Sequence, residues 1–374
     1  MSCITARILA CTLIVCALGS SGASIASDEQ STAQLIENLG LVEAPQPVRE
    51  RAGWSKPRRI VVRDGTPEIL QRLQAVAPGV ELVGASSAAQ AVELVGDADA
   101  VLGFCNADLL AAGTRVRWIQ AFGAGVESCV AVPALRERDI LLTNMQKIAG
   151  PVMSEHVMAL ALAFARELPR HGRSQNEGKW QPGTQDGDHA FALQGKTLFV
   201  AGLGGIGMEV ARRAHAFGMN VIATRASKQE KPPFVSRVGT PHETLAMLKE
   251  ADIVVNTLPL TPDTRGLFDA RAFSAMKPSA YYINVGRGGT VVTADLVDAL
   301  KNGRIAGAAL DVTDPEPLPA GHPLWQMRNV IITPHTAADT GGDREDRWLL
   351  VRENLRRYVA GEKMLSVVDP ARGY

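Results

Sequence analysis

Gly202, Gly204 and Gly207 are the residues whose spacing in this 374-residue chain points most directly to chemistry. They stand in Gly202-Leu203-Gly204-Gly205-Ile206-Gly207, after the apolar run Thr197–Ala201 and before the helical stretch Met208–Phe217. In a strand–turn–helix setting the first glycine permits the tight turn and the second lets a pyrophosphate reach the backbone. The third lets helix and strand pack, and the N–H groups opening the helix, at Gly205 and Ile206, face the phosphates. The ribose of a bound dinucleotide is read about 20 residues further on, where an NAD site carries an acid. This chain has Arg225 there, with Ser227 and Lys228 after it. A guanidinium cannot accept from a ribose hydroxyl, but it forks onto a 2′-phosphate. NADP is therefore the preferred cofactor and NAD a possible one. The competing reading makes Arg225 a solvated loop charge.

These residues need a scaffold, and the pattern around them supplies one. Ile60–Val62, Val80–Val83, Ala100–Phe104 and Val116–Phe122 read as strands, with helices over Pro67–Val76 and Ala88–Val95. A second alternating stretch has strands at Thr197–Ala201, Asn220–Ala223, Ile253–Asn256, Tyr281–Asn284, Ala308–Asp311 and Val330–Thr333, and closes on a helix, Arg347–Ala360. Strands alternating with helices at this spacing indicate parallel βαβ units. Val152–Leu168 is apolar nearly all round, so it predicts a buried helix at the junction of two domains. Residues 173–189 are rich in Gly, Asp and Gln and predict an exposed loop, and a short amphipathic helix is expected near Leu35–Leu41.

Residues 1–26 differ from the rest. Arg7 is their only charge, Ile8–Gly19 is an apolar run of twelve, and Ser24-Ile25-Ala26 offers small residues at a cleavage site. This is a signal-peptide pattern, too short for a transmembrane helix. Export is expected, with a cytoplasmic or N-terminally anchored protein as the alternatives, and residues 27–57 read as an extension and linker. Removing 1–26 leaves two cysteines, Cys105 and Cys129, which read as buried free thiols, pairing only where the fold brings them close in space. Lys plus Arg and Asp plus Glu are both 39. That balance weighs against nucleic acid held through its phosphates, and no membrane partner is expected after cleavage.

With these features in place, the sequence resembles the D-isomer-specific 2-hydroxyacid dehydrogenases, nearest to the glyoxylate/hydroxypyruvate reductases. The resemblance spans about residues 58–365. It is carried by Trp118-Ile119-Gln120-x-x-Gly123-Ala124-Gly125-Val126-Glu127, Ser154-Glu155-His156-Val157, Leu258-Pro259-Leu260-Thr261-Pro262, Ile283-Asn284-Val285-Gly286-Arg287-Gly288, Leu310-Asp311-Val312-x-x-Pro315-Glu316-Pro317 and Thr333-Pro334-His335. It implies an α/β fold of two doubly wound parallel-sheet domains. A Rossmann NAD(P)-binding domain (151–336) would be inserted in a flavodoxin-like substrate domain (58–150, completed by 337–374). It implies Arg287, Glu316 and His335 as catalytic residues, spaced 29 and 19 apart, with the N–H groups of Ala124 and Gly125 and the Arg287 fork holding a 2-oxo acid. It also implies Pro259, Val285 and Asp311 at the cofactor, and a homodimer. His335 would donate the proton, Glu316 would hold its ring, and Arg287 would stabilise charge on the substrate oxygen. His156, on the apolar junction helix, reads as structural. Glu316 argues against formate oxidation, since formate dehydrogenases of this fold pair the histidine with Gln. A phosphite-type dehydrogenase and a non-catalytic NAD(P)-binding relative remain open.

Overall fold

The strands of this chain are apolar at consecutive rather than alternate positions, which suits parallel sheets covered by helices on both faces. The computed structural model describes residues 30–180, 190–227, 230–339 and 345–371. A first sheet contains β1 (Arg59–Arg63), β2 (Glu81–Ala85), β3 (Ala100–Leu102), β4 (Trp118–Gln120) and β5 (Leu141–Thr143), in the order β2-β1-β3-β4-β5. A second contains β6 (Thr197–Ala201), β7 (Asn220–Thr224), β8 (Arg237–Gly239), β9 (Ile253–Asn256), β10 (Tyr281–Asn284), β11 (Gly307–Leu310) and β12 (Val330–Ile332), in the order β12-β11-β10-β9-β6-β7-β8. Every ladder between these strands is parallel. The first order is flavodoxin-like. The second is the dinucleotide-binding order with an extra outer strand, and its topological switch lies between β6 and β9.

Alternate residues of β6 feed the two faces of the second sheet. Leu198 and Val200 join Val157, Ala161 and Phe164 of the junction helix Gly150–Ala165, and Val210, Ala211 and Ala214 of the helix Gly205–Ala216. Phe199 and Ala201 join Tyr282, Phe268 and Phe273 on the other face. Residues 345–371 return to the first sheet. Trp348, Val351, Leu355 and Tyr358 of the helix Glu345–Ala360 pack with Ile60, Leu102 and Trp118. A fully buried amide pair fixes this return, because Asn354 Nδ2 donates to Gln120 Oε1 at 2.9 Å.

Several element boundaries move from their sequence-based positions. The junction helix stops at Ala165 because Glu167 takes a left-handed φ of 54°, and a separate helix, Leu168–Asn176, begins with Pro169 in its first turn. That helix covers the start of the stretch expected to be loop, while 181–189 lie outside the described residues. The fourth strand shrinks to Trp118–Gln120 as Phe122 turns into the loop above it. The N-terminal helix runs over 30–39 and ends at Gly40, whose φ is 55°. The signal-like segment lies outside the described residues, and no helix among the described ones is long and apolar enough to cross a membrane.

Candidate active site

The glycine turn leaves β6 at the carboxyl edge of the second sheet, beside the switch point. Gly202 has a φ of +98°, a region that favours glycine. A Cβ on Gly207 would lie 2.3 Å from the Gly202 carbonyl oxygen, so only glycine allows this helix–strand contact. A Cβ on Gly204 would meet nothing within 4 Å, so this backbone is open to a ligand. A Cβ on Gly205 would lie 2.7 Å from Lys147 Cγ, so the crossover from the first domain occupies the space a longer side chain would need. Pro259 follows β9 and Val285 follows β10, at the same edge.

Arg225 follows β7 and is only 8% exposed, so it is not a solvated loop charge. Its Nε donates to Leu203 O at 3.1 Å, which ties it to the glycine turn. Its Nη2 is buried and has no partner among the described residues, and burial holds the guanidinium below its ordinary pKa. An orphaned, desolvated cationic N–H is costly unless an anion meets it. This orphan fits the 2′-phosphate of an NADP-type cofactor. Ser227 is exposed on the following turn, and Lys228 lies outside the described residues.

Arg287 is aimed by two strand-end asparagines. Asn284, closing β10, accepts from Gly286 N and donates to Arg287 O, at 3.0 and 3.2 Å. Asn256, closing β9, donates to Thr290 Oγ1, which itself donates to Arg287 O at 2.6 Å. The side chain then crosses to the first domain. A Cβ on Gly125 would lie 1.6 Å from Arg287 Nη2, so the guanidinium rests on the loop Gly123–Gly125. Arg287 Nε also donates to Glu127 Oε1 at 3.0 Å. The loop has its own anchors, with Met145 N donating to Gly123 O at 3.0 Å and Asn144 Nδ2 to Ala124 O at 2.7 Å. Glu127 ends one of the family-like motifs, but its ion pair spans 160 residues and the domain junction and was not anticipated.

The remaining two expected catalytic side chains meet as a dyad. His335 Nδ1 and Glu316 Oε1 are 2.6 Å apart, while both side chains stay partly solvent-exposed. His335 Nε2 has no partner among the described residues, so an imidazole held on one nitrogen offers the other to a ligand. His335 adopts a left-handed φ of 57°, a strained choice for a non-glycine residue. Asp311 explains how it is held. Its carbonyl accepts from His335 N at 2.8 Å, and its buried carboxylate accepts from Thr333 Oγ1, Thr336 N and Ala337 N. Asp311 thus faces the underside of the histidine loop. His156 Nε2 lies 3.1 Å from Thr333 Oγ1 and packs into the same support, in keeping with a structural role. The arginine and acid loops touch as well, since a Cβ on Gly288 would lie 1.9 Å from Thr313 O.

One expectation is overturned. Cys105 and Cys129 are not free thiols but form a disulfide with Cα atoms 5.3 Å apart. The loops leaving adjacent strands β3 and β4 bring them together, a proximity that depends on strand order. No cluster of potential metal ligands occurs among the described residues.

Comparisons with known proteins agree with this geometry. The family described as "D-isomer specific 2-hydroxyacid dehydrogenase, NAD binding domain" matches residues 158–337. The chain is 34% identical over 257 residues to a mouse glyoxylate reductase/hydroxypyruvate reductase, covering 68% of this chain and 78% of that protein. It is 31% identical over 315 residues to a D-3-phosphoglycerate dehydrogenase of Methanocaldococcus jannaschii, covering 83% of this chain but 59% of the longer relative. Among solved structures, a D-isomer specific 2-hydroxyacid dehydrogenase from Xanthobacter autotrophicus Py2, in complex with NADPH and MES, aligns with a TM-score of 0.72 at 31% identity. That alignment covers 86% of this chain and all of the other.

Proposed function

The chain belongs to the D-isomer specific 2-hydroxyacid dehydrogenase family, and we propose that it reduces a small 2-oxo acid of the glyoxylate or hydroxypyruvate type with NADPH. The observation that carries this reading is the reach of Arg287 across the cleft onto the Gly123–Gly125 loop, with the His335–Glu316 pair on an adjoining loop. In this reading the Ala124 and Gly125 N–H groups and the Arg287 fork hold the substrate carboxylate, and Arg287 stabilises negative charge growing on the 2-oxo oxygen. His335 gives that oxygen a proton from Nε2, and Glu316 keeps the ring oriented. The glycine turn and Arg225 would hold the cofactor, which when bound supplies the hydride. The test follows NADPH oxidation by absorbance with glyoxylate, hydroxypyruvate, pyruvate and 3-phosphohydroxypyruvate. The reading expects turnover with the first two. Turnover confined to the phosphorylated acid, or no turnover with any of them, removes it.

NADPH preference is assigned to Arg225, because only a cation with an unused N–H suits a 2′-phosphate there. Arg225→Asp is expected to cost about 1.5–3 kcal/mol of NADPH binding and to favour NADH. An unchanged ratio of NADPH to NADH efficiency would make the residue a bystander.

Export is also part of the proposal. The apolar run and small-residue exit of residues 1–26 support it, as does a disulfide, which persists in oxidising compartments. Mass spectrometry of the native protein should find a chain starting at residue 27 in the extracytoplasmic fraction. A cytoplasmic chain that retains Met1 would refute it.

A further inference from the structure

We infer that the Cys105–Cys129 disulfide is a redox-dependent clamp on the substrate loop, so that the oxidised enzyme binds its 2-oxo acid more tightly than the dithiol form. The inference rests on the proposed role of Gly123–Gly125 in holding the substrate carboxylate.

The loop is held differently on its two sides. Upstream, Asn144 and the Met145 amide grip Ala124 and Gly123 through hydrogen bonds. Downstream, the chain enters a single-turn helix, Glu127–Val130, which lacks a side-chain cap. A helix of that length has no stability of its own and depends on what it is attached to. It is attached through Val126 and Cys129, which are buried, through Val130 and the following Val132, which pack on the same core, and through the covalent bridge to Cys105. Cys105 lies just beyond β3, the strand adjacent to β4, where Gly103 N donates to Gln120 O at 2.7 Å. The bridge therefore ties the segment leaving β3 to the helix that follows the substrate loop, at the carboxyl edge of the first sheet.

That helix also begins with Glu127, the partner of Arg287. Releasing it would disturb two things together: the direction of the Ala124 and Gly125 N–H groups, and the grip that aims the arginine. Misplacing a positioning group by about 1 Å can cost as much as 10²-fold in rate. The glycine turn and Arg225 belong to the other sheet, so cofactor binding should be indifferent. The chemistry is thiol–disulfide exchange with a small dithiol. Two electrons and two protons reach Cys105 and Cys129 as thiols, and the dithiol leaves as its own disulfide. Glutathione disulfide reverses the exchange, taking up the two electrons and two protons and leaving as two glutathione thiols.

The test uses the full chain with NADPH bound. Oxamate, a 2-oxo acid analogue that is not reduced, reads affinity independently of turnover, and the KM for hydroxypyruvate is measured beside it. Dithiothreitol treatment, with loss of the bridge verified by mass, should weaken oxamate binding and raise KM by about tenfold. NADPH affinity should stay unchanged, and oxidation with glutathione disulfide should restore the starting values. The Cys105→Ser/Cys129→Ser double variant should match the reduced enzyme and ignore the dithiol, and it stands in for that state if the native bridge resists reduction. Equal oxamate affinity in both redox forms overturns the clamp. So does a parallel fall in NADPH affinity, which would signify general loosening, or an absence of oxamate binding in the oxidised and reduced forms alike. Oxamate binding that responds to reduction, with no 2-oxo acid turned over, sustains the clamp and refutes the proposed reaction instead.

Discussion

Replacing His335 with Gln is expected to lower turnover with hydroxypyruvate about 10²–10⁴-fold, the usual worth of a general acid, while NADPH affinity stays near that of the parent enzyme. Nδ1 is occupied by Glu316, so Nε2 is the nitrogen left to face a substrate. A glutamine can mimic one hydrogen bond of the imidazole but cannot pass a proton. The independence of the cofactor site follows from what holds His335. Its backbone hangs from Asp311 and Thr333, and its ring from Glu316, all on loops after β11 and β12. The glycine turn and Arg225 leave β6 and β7. Stopped-flow turnover combined with an NADPH fluorescence titration separates the two effects. Parent-level turnover in the variant, or NADPH affinity that collapses alongside activity, would show that His335 has been given the wrong role.

Arg287→Lys should produce the next largest loss, about 10²-fold in kcat/KM for the 2-oxo acid. The guanidinium works in two directions. Nε holds Glu127 at 3.0 Å, and Nη2 rests on Gly125, where a substrate carboxylate is proposed to sit. A lysine is a single point charge. It can neutralise Glu127 or meet the substrate, but it cannot fork onto two oxygens while gripping a third. The loss should therefore appear in KM, through the carboxylate fork, and in kcat, through the charge growing on the 2-oxo oxygen. A lysine variant with the parent KM and kcat would indicate that Arg287 serves only to bridge the domains.

Much of the fold and part of the site were legible in the sequence. The glycine turn could be found because its three glycines fall between an apolar strand and a helix, and each glycine has its own steric reason. The sheets could be found because buried parallel strands are continuous apolar runs. Three-residue strands such as Arg237–Gly239 and Leu141–Thr143 show no periodicity and went unseen. The end of the helix Leu168–Asn176, from Arg173 onward, reads as loop because Gly172 and the polar residues mask it, although Pro169 in its first turn is a usable start signal. Arg225 stands out by position, but its burial and its unpartnered Nη2 depend on how Leu203 folds beneath it. The Glu127–Arg287 pair and the Cys105–Cys129 bridge were out of reach for one reason. Each joins loops whose proximity is set by strand order or domain closure, and local pattern carries neither. The role of the Asp311 carboxylate in pinning the left-handed turn that presents His335 is likewise invisible in local pattern, because Asp311 and His335 follow different strands.

The central claim is that Arg287, His335 and the Gly123–Gly125 loop together seat a 2-oxo acid so that one face of its carbonyl is reduced. The most direct measurement is chiral chromatography of the acid formed when the purified chain and NADPH are incubated with hydroxypyruvate. D-glycerate alone is expected, in an amount equal to the NADPH oxidised. L-glycerate, a racemic product, or oxidation of NADPH without glycerate would contradict it.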